Sequence, residues 1–185
     1  MRRVSVTPIG KILETYFAEM GLGEKMNEQR VIDAVPGVLG QFIYKFVTRD
    51  RKPEAELLPF CEAHGISLQT YSPIEQGLLS GKAPDDYRPK PGEVRENRVW
   101  WRPENIPKVN RMLKGWRDLT EKYGCTTANL CIKWNSMLSP AVHVLCGARK
   151  IPQIEENARA LDVPMSREDF LRMKRDADAL IAEQG

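Results

Sequence analysis

The sequence predicts an α/β fold in which about three parallel strands are surrounded by helices. Three short runs rich in apolar, β-branched and aromatic residues, at 38–47, 66–71 and 141–146, are typical of strands. Longer segments with helical spacing separate these runs and follow the last one. Strands that alternate with helices favour βα units and therefore a parallel sheet. A length of 185 residues suits one domain with one sizeable core.

The N-terminal part, residues 1–37, is predicted to be a helical segment that is separate from the α/β part at 38–185. Residues 11–20 carry apolar side chains at helical spacing, and glycines follow at once. Asn27 suits the N-cap of a second short helix. A Pro-Gly pair at 36–37 then breaks the chain before the first predicted strand.

The middle of the chain is predicted to contain a helix, a strand and a long loop. Pro53 suits the first turn of a helix that ends at Gly65, because proline fits the first turn and glycine fits the end. The strand at 66–71 follows directly. Residues 72–103 are rich in proline, glycine and charge, which predicts a loop.

The last third of the chain is predicted to be mainly helical. Helices are predicted at 104–123, 127–138, 151–161 and 167–182. Thr126 or Thr127 suits the N-cap of the second helix, and Ser166 suits that of the last one. Glu168 and Asp169 add negative charge to the first turn of the last helix, where the helix dipole favours it.

Composition narrows the function classes. The 28 basic and 25 acidic residues give a net charge of +3, which does not indicate a nucleic-acid-binding protein. No apolar run approaches the ~18 residues of a membrane span, so we expect a cytoplasmic protein. Cys61, Cys125, Cys131 and Cys146 lack zinc-site spacing, and we expect buried, reduced thiols and no metal site.

The segment at 70–82 (TYSPIEQGLLSGK) is the first candidate for chemistry. It combines a strand end at Tyr71 with a Ser-Pro turn and a loop that contains glycines. Ligands of parallel βα folds lie beyond the carboxyl ends of strands. There an aromatic ring can stack on a flat heterocycle, and Ser72 can donate to a phosphate. A core tyrosine in a tight structural turn explains the pattern equally well.

The segment at 145–157 (LCGARKIPQIEEN) is the second candidate. A strand ends near Gly147, and a loop with Arg149 and Lys150 leads into a helix N-terminus. Backbone amides, the helix dipole and two cations there predict an anion site. The alternative is an ordinary solvated polar face of a helix.

These two segments, in this order and at this distance, resemble the aldo-keto reductase family. The resemblance extends to 56–66 and to the stretches around 104–124 and 126–150, and it covers about residues 41–180. It implies a partial (β/α)₈ TIM barrel, in which this chain carries the C-terminal part with the sixth to eighth strands. It also implies an NADP(H)-binding oxidoreductase polypeptide that works by hydride transfer to or from carbonyl and alcohol groups.

The resemblance implies roles for residues around the nicotinamide and the pyrophosphate. Gln41 is similar to the glutamine that hydrogen-bonds the nicotinamide carboxamide. Tyr71 is similar to the tyrosine that stacks on the nicotinamide ring. Ser72, Ile74 and Gln76 fall in the loop that straps the pyrophosphate.

The resemblance implies further roles around the adenosine half. Gly147 precedes Ala148 and Arg149, which match the positions around the 2′-phosphate, and Gln153 lies beside them. The arginine favours NADP(H) over NAD(H) as the cofactor. The pair that meets the adenine edge is matched by Glu156 and Asn157.

No catalytic residue is assigned. In the family, a general-acid tyrosine works with a lysine, an aspartate and a histidine, all on the first half of the barrel, and no residue here matches them. His64 suits a helix end, His143 falls inside a strand expected to be buried, and Tyr16 lies on an apolar helical face. We therefore expect no activity from the chain alone. The alternative is a non-enzymatic NADP(H)-sensing or interaction subunit.

Two further expectations concern partners and the long loop. A partial parallel sheet exposes edges and an apolar face, so a second copy, a separate chain or the N-terminal helices would have to cover them. Trp100 and Trp101 are expected to pack against the protein, although they could also line a pocket for an apolar carbonyl compound.

Overall fold

The computed structural model describes residues 41–42, 53–65 and 67–183 of the chain. The predicted N-terminal helical segment and most of the first predicted strand lie outside the described residues. Every structural statement below refers to the described part.

The described strands form one parallel sheet in the order β1-β2-β3. These strands are β1 (Gln41–Phe42), β2 (Leu68–Tyr71) and β3 (Val142–Leu145). Gln41 is in register with Gln69 of β2, and Tyr71 is in register with Leu145 of β3. Because neighbouring parallel strands end at the same edge, the segments that follow β2 and β3 emerge side by side.

Helices and helical turns fill most of the rest of the described chain. They are a π-helical turn at Pro53–Leu57 that continues into α1 (Leu58–Ala63), 3₁₀ turns at Glu75–Ser80, Val99–Trp101 and Ala160–Asp162, and the helices α2 (Ile106–Lys114), α3 (Arg117–Tyr123), α4 (Thr127–Ser136), α5 (Ile151–Arg159) and α6 (Arg167–Ala182). The prediction of helices between and after the strands is therefore confirmed for these residues.

The predicted single helix at 104–123 is two helices. The chain tightens at the end of α2, where the Trp116 backbone amide donates to the Leu113 carbonyl at 3.1 Å, a spacing of three residues. This change of direction buries the Trp116 side chain completely. The reason for the break is thus tertiary, because the apolar periodicity continues through it.

The helix caps follow the sequence closely. Thr126 caps α4, and its hydroxyl accepts from the Asn129 backbone amide at 3.2 Å while the Asn129 side chain accepts from the Thr126 amide. Ser166 caps α6 in the same way by accepting from the Asp169 amide at 3.2 Å. Side chains thus satisfy amides that a helix N-terminus would otherwise leave unpaired.

The main core lies among the helices and includes the two tryptophans of the long loop. Its members include Leu78, Leu79, Trp100, Trp101, Ile106, Val109, Trp116, Leu130, Trp134, Phe170 and Met173. The expected packing role of Trp100 and Trp101 is confirmed by exposed fractions of 4% and 2%. A smaller cluster joins α1 to the sheet through Cys61, Leu68 and Val142.

Strand β3 is not buried on both faces, which corrects the expectation for His143. Val142 is buried against α1 and β2, whereas His143 is exposed and Leu145 is 37% exposed. Alternate residues of a strand point to opposite faces, and the face of β3 that carries His143 lacks a packed layer in the described structure. Hydrophobicity alone did not reveal this because the strand is apolar on both faces.

The four cysteines differ in how deeply they are buried. Cys61 and Cys131 are buried free thiols as expected, but Cys125 and Cys146 are only partly buried. None of the described helices is both long enough and apolar enough to cross a membrane. The described residues also hold no cluster of three or more metal-ligating side chains.

Candidate functional site

A cavity of about 1020 Å³ opens at the carboxyl ends of β2 and β3. Its wall is formed mainly by the segment after β2 and by the segment from β3 into α5. Nine of the eleven residues proposed from the sequence line it, namely Tyr71, Ser72, Ile74, Gln76, Gly147, Ala148, Arg149, Gln153 and Asn157. The fold therefore brings together two segments that are about 70 positions apart in the chain, as the parallel sheet requires.

The other two proposed residues lie elsewhere. Gln41 begins β1 beside Gln69, and its side chain is outside the described structure. Glu156 lines a separate cavity of about 700 Å³ between α5 and the segment from the end of α3 to the start of α4, and its carboxylate is 3.8 Å from the Lys82 ammonium. The Glu156 backbone carbonyl accepts from the Asn129 side chain at 2.5 Å. The carboxylate of Glu156 is thus directed away from the larger cavity.

The turn after β2 has an unusual backbone. Ser72, Glu75 and Gln76 have φ values of 55°, 47° and 55°, and Gly77 follows with 101°. Each non-glycine residue in this region costs about 1 kcal/mol or more, and such costs cluster at ligand sites. The side-chain oxygen of Gln76 is buried and has no hydrogen-bond partner in the described structure. Buried polar groups normally have a partner, so this oxygen can accept a hydrogen bond from a donor of a ligand or from water.

Tyr71 places a half-buried ring at the end of β2, on the cavity wall. Burial raises the pKa of its hydroxyl, the charge of Arg98 lowers it less, and Glu75 raises it further. The phenol is therefore neutral at physiological pH. A neutral ring with one accessible face suits stacking on a flat heterocycle.

The loop into α5 is organised by Gln153. Its side-chain oxygen accepts from the backbone amides of Arg149 at 2.8 Å and Lys150 at 3.2 Å. Asn157 donates to the Gly147 carbonyl at 3.4 Å and ties the helix back to the strand end. The expected role of these two amides in anion binding is therefore corrected, because Gln153 already occupies them. The side chains of Arg149 and Lys150 remain exposed, and neither forms an ion pair with a described residue.

The opposite wall of the cavity was missed in the sequence. Glu93, Val94 and Arg95 from the long loop line it, and the Arg95 guanidinium lies 4.5 Å above the Trp101 ring. Two charged residues in a polar loop give no periodic signal. The neighbouring tryptophan pair was the available hint, since a buried aromatic residue in a loop must be covered by other loop residues. Cys146 also lines the cavity, and burial raises the pKa of its thiol.

The chemistry of the lining fits a nicotinamide dinucleotide. One wall offers a neutral aromatic ring and a strained turn with an unpartnered amide oxygen. Two guanidinium groups, those of Arg95 and Arg149, provide positive charge for phosphates. Gln153 and Asn157 present side-chain amides to the remaining part of the cavity. Aromatic, amide and cationic groups thus line one cavity.

Comparison with known proteins agrees with this arrangement. A sequence model of the Aldo/keto reductase family matches residues 20–177. The chain belongs to the aldo/keto reductase family. Members of this oxidoreductase family use nicotinamide cofactors. The fold is of the family's TIM-barrel type.

The names of the relatives of this chain describe different roles. It is 42% identical over 136 residues to the NADH-specific methylglyoxal reductase of Escherichia coli, which covers 74% of this chain and 41% of that protein. It is 31% identical over 137 residues to a probable voltage-gated potassium channel subunit beta of Arabidopsis thaliana, over 71% of this chain and 40% of that protein. The chain thus spans about two fifths of the length of these relatives.

A solved structure supports the fold assignment. The structure of a glycerol dehydrogenase from Gluconobacter oxydans matches with a TM-score of 0.65 over 90% of this chain and 46% of that chain. At 22% identity, this similarity concerns the fold alone.

Proposed function

We propose that this aldo/keto reductase-family polypeptide binds NADP(H) and supplies the cofactor-holding part of an oxidoreductase site. The observation that carries the proposal is the meeting of the two segments, at 71–77 and 145–157, around one cavity. The parallel sheet brings the two segments together whatever their function. The support for cofactor binding is the chemistry that they present there, namely the aromatic ring of Tyr71, the hydroxyl of Ser72 and the guanidinium of Arg149.

Each group of residues has a separate task in this proposal. Tyr71 stacks on the nicotinamide ring, Ser72 and Gln76 donate to the pyrophosphate, and Asn157 meets the adenine. The bound cofactor supplies or accepts the hydride. The residues of this chain orient the cofactor and exclude water from one of its faces, which fixes the direction in which the hydride is presented.

The preference for NADP(H) rests on Arg149. Its guanidinium is exposed at the cavity and can form two hydrogen bonds to a 2′-phosphate, whereas a ribose hydroxyl would gain little from it. Lys150 adds a second positive charge next to it. One relative is named an NADH-specific methylglyoxal reductase, so the proposed preference for NADP(H) over NAD(H) has to be tested directly.

We further propose that carbonyl reduction by this chain requires groups from another polypeptide segment. No residue of the sequence matches the proton-transfer groups that the family resemblance implies. Helix α5 has no buried residue in the described structure, and its apolar Ile151 and Ile154 are 72% and 58% exposed. The exposed side of this helix and the uncovered face of β3 are each surfaces on which a further polypeptide segment would pack.

A non-enzymatic role is the second candidate. The 31% identity to a probable potassium channel subunit beta favours an interaction subunit that senses NADP(H). Both candidates require cofactor binding. They differ in whether carbonyl reduction appears when the chain is combined with a polypeptide that carries the proton-transfer groups.

The test is a titration of the purified chain with NADPH and NADH, monitored by nucleotide fluorescence. We expect NADPH to bind more tightly, and Arg149→Ala to weaken NADPH about tenfold or more while changing NADH little, because the lost contact is to the 2′-phosphate. Arg159→Ala is the matched control, since it removes the same charge from α5 but lines the other cavity. Absence of binding by either nucleotide would contradict the proposed function, and a preference for NADH would contradict the role of Arg149.

A further inference from the structure

The loop at 82–98 is anchored by Trp101. This side chain is 2% exposed, and its indole N–H donates to the Glu75 carbonyl at 3.1 Å. Glu75 belongs to the strained turn that carries Gln76, so one indole ring links the loop to the turn. A buried indole needs a hydrogen-bond acceptor, and here that acceptor fixes the position of the loop against the cavity.

Two side chains of the loop contact that ring, and a third is hydrogen-bonded to one of them. The Tyr87 ring contacts Trp101 edge-on at 5.3 Å between centroids, and the Arg95 guanidinium lies over its face at 4.5 Å. Arg95 donates to the Tyr87 hydroxyl at 3.3 Å. The hydroxyl in turn donates to the Glu93 carboxylate at 3.3 Å. A tyrosine hydroxyl can accept and donate at once, so these bonds form one consistent chain.

This arrangement leaves most of the Arg95 donors available. A guanidinium has five N–H donors, and the Tyr87 hydroxyl accepts from one of its terminal nitrogens. No carboxylate forms an ion pair with Arg95 within the described structure. Arg95 lines the cavity, so donors that are not used by the Tyr87 hydroxyl are available to a ligand bound there. Glu93 also lines this cavity. A carboxylate that is not held by a hydrogen bond would repel a phosphate there.

We propose that Tyr87 and Trp101 are positioning residues of the cofactor site, which hold the Arg95 guanidinium toward a phosphate of the bound dinucleotide. Trp101 supplies the surface on which the guanidinium lies, and Tyr87 fixes its rotation. By donating to Glu93, Tyr87 also restrains the carboxylate beside the phosphate. A guanidinium that is ordered before binding loses less conformational freedom on binding. This inference rests on the proposed function, because it assumes that the cavity holds a dinucleotide.

The test compares dissociation constants for NADPH among the wild-type chain, Tyr87→Phe, Arg95→Ala and the double variant. Tyr87→Phe keeps the ring and removes only the hydroxyl, and we expect about three- to tenfold weaker binding. In the Arg95→Ala background, Tyr87→Phe should cause no further loss, because its effect acts through Arg95. Arg88→Ala is the charge-matched control: it removes an exposed guanidinium of the same loop that donates only to the Tyr87 carbonyl and does not line the cavity.

The outcomes separate the inference from the proposed function. If the wild type binds NADPH and the effects of the two substitutions multiply, Tyr87 acts independently of Arg95 and the inference is wrong. If Tyr87→Phe binds as the wild type does, the inference fails while the proposed function stands. If the wild type binds neither NADPH nor NADH, both fail. Arg95→Lys is the second variant: it keeps the charge without the planar group, and full affinity there would also overturn the inference.

Discussion

Helices α5 and α6 have opposite environments although they follow one another in the chain. Helix α6 contributes Phe170, Met173, Ala177 and Leu180 to the main core, and each is at most 4% exposed. Helix α5 buries none of its residues in the described structure, and it directs Gln153 and Asn157 to the cavity. One helix is therefore part of the main core, whereas the other lines the cavity and is exposed in the described structure.

From this contrast we expect stability and the proposed cofactor binding to depend on different residues. Burial of apolar area stabilises the helical layer, so substitutions there should change the free energy of unfolding. The cavity residues of α5 make few packing contacts, so substitutions there should change binding and leave folding almost intact. The following predictions test how complete this separation is.

The largest effect is expected at Trp134. Its ring is fully buried and stacks on Phe170 with centroids 5.1 Å apart, and its indole N–H donates to the Phe170 carbonyl at 3.1 Å. Trp134→Ala should lower the free energy of unfolding by about 3–5 kcal/mol through lost contacts and a cavity. Urea denaturation measures this value, and Trp134→Phe provides a milder variant if the alanine variant does not fold.

The control for this prediction is Ile154→Ala on α5. Ile154 is 58% exposed, so we expect a change within about 0.5 kcal/mol. A comparable loss at both positions would show that α5 is packed in solution, for example in a dimer, and would remove the contrast between the two helices. Repeating the denaturation at several protein concentrations would reveal such an association.

The second-largest effect on the free energy of unfolding is expected at Asp169, whose side chain joins α3 to α6. Its carboxylate accepts from the Lys122 ammonium at 2.7 Å, from the Ser166 hydroxyl at 3.0 Å and from the Tyr123 hydroxyl. Burial raises its pKa, but the hydrogen bonds from Lys122, Tyr123 and Ser166 together outweigh burial and lower it. A carboxyl group with a lowered pKa in the folded state stabilises the fold when it is ionised.

The lowered pKa of Asp169 decides how the free energy of unfolding changes with pH. The stabilisation by Asp169 is complete above the unfolded pKa of about 3.9 and is lost as the pH falls through the lower folded pKa. At neutral pH, Asp169→Asn should lower the free energy of unfolding by about 2 kcal/mol. Denaturation from pH 7 to pH 2 should show the two proteins converging only below about pH 4. A difference that stays constant to pH 2 would argue against an ionised Asp169 in this network.

The sequence was sufficient for the elements whose signals are local. The cap at Ser166 is confirmed, and Thr126 is the cap of α4 out of the two candidates Thr126 and Thr127, because a cap depends on one side chain and the amides three residues on. The segments at 71–77 and 145–157 were placed on the correct strand ends because parallel strands end at one edge. The caps depend on neighbouring residues alone, and the common edge follows from the parallel βα pattern, so both could be predicted before the fold was known.

The remaining features depend on contacts between distant residues. The break at Trp116 arises because its ring is buried and its indole donates to Asp176, a residue 60 positions away. The exposure of His143 depends on what covers the sheet, which the strand pattern cannot show. Arg95 reaches the cavity only because the long loop folds over Trp101. Each of these depends on an arrangement that exists only after the chain has folded.

The smallest effect is expected at Glu156, where the resemblance and the geometry differ. The resemblance implies a contact with the adenine edge, but the carboxylate lies beside Lys82 and lines the smaller cavity. Lys82 is 75% exposed at its side chain, so the ion pair stabilises the fold by less than about 1 kcal/mol.

Glu156→Gln should therefore change the NADPH dissociation constant less than about twofold, because a side chain that is directed away from the cavity contributes little to binding. Asn157→Ala on the same helix should weaken binding several-fold, since Asn157 lines the cofactor cavity. Equal losses for the two variants in the same fluorescence titration would show that Glu156 turns toward the adenine when the cofactor binds, and α5 would then have to rearrange on binding.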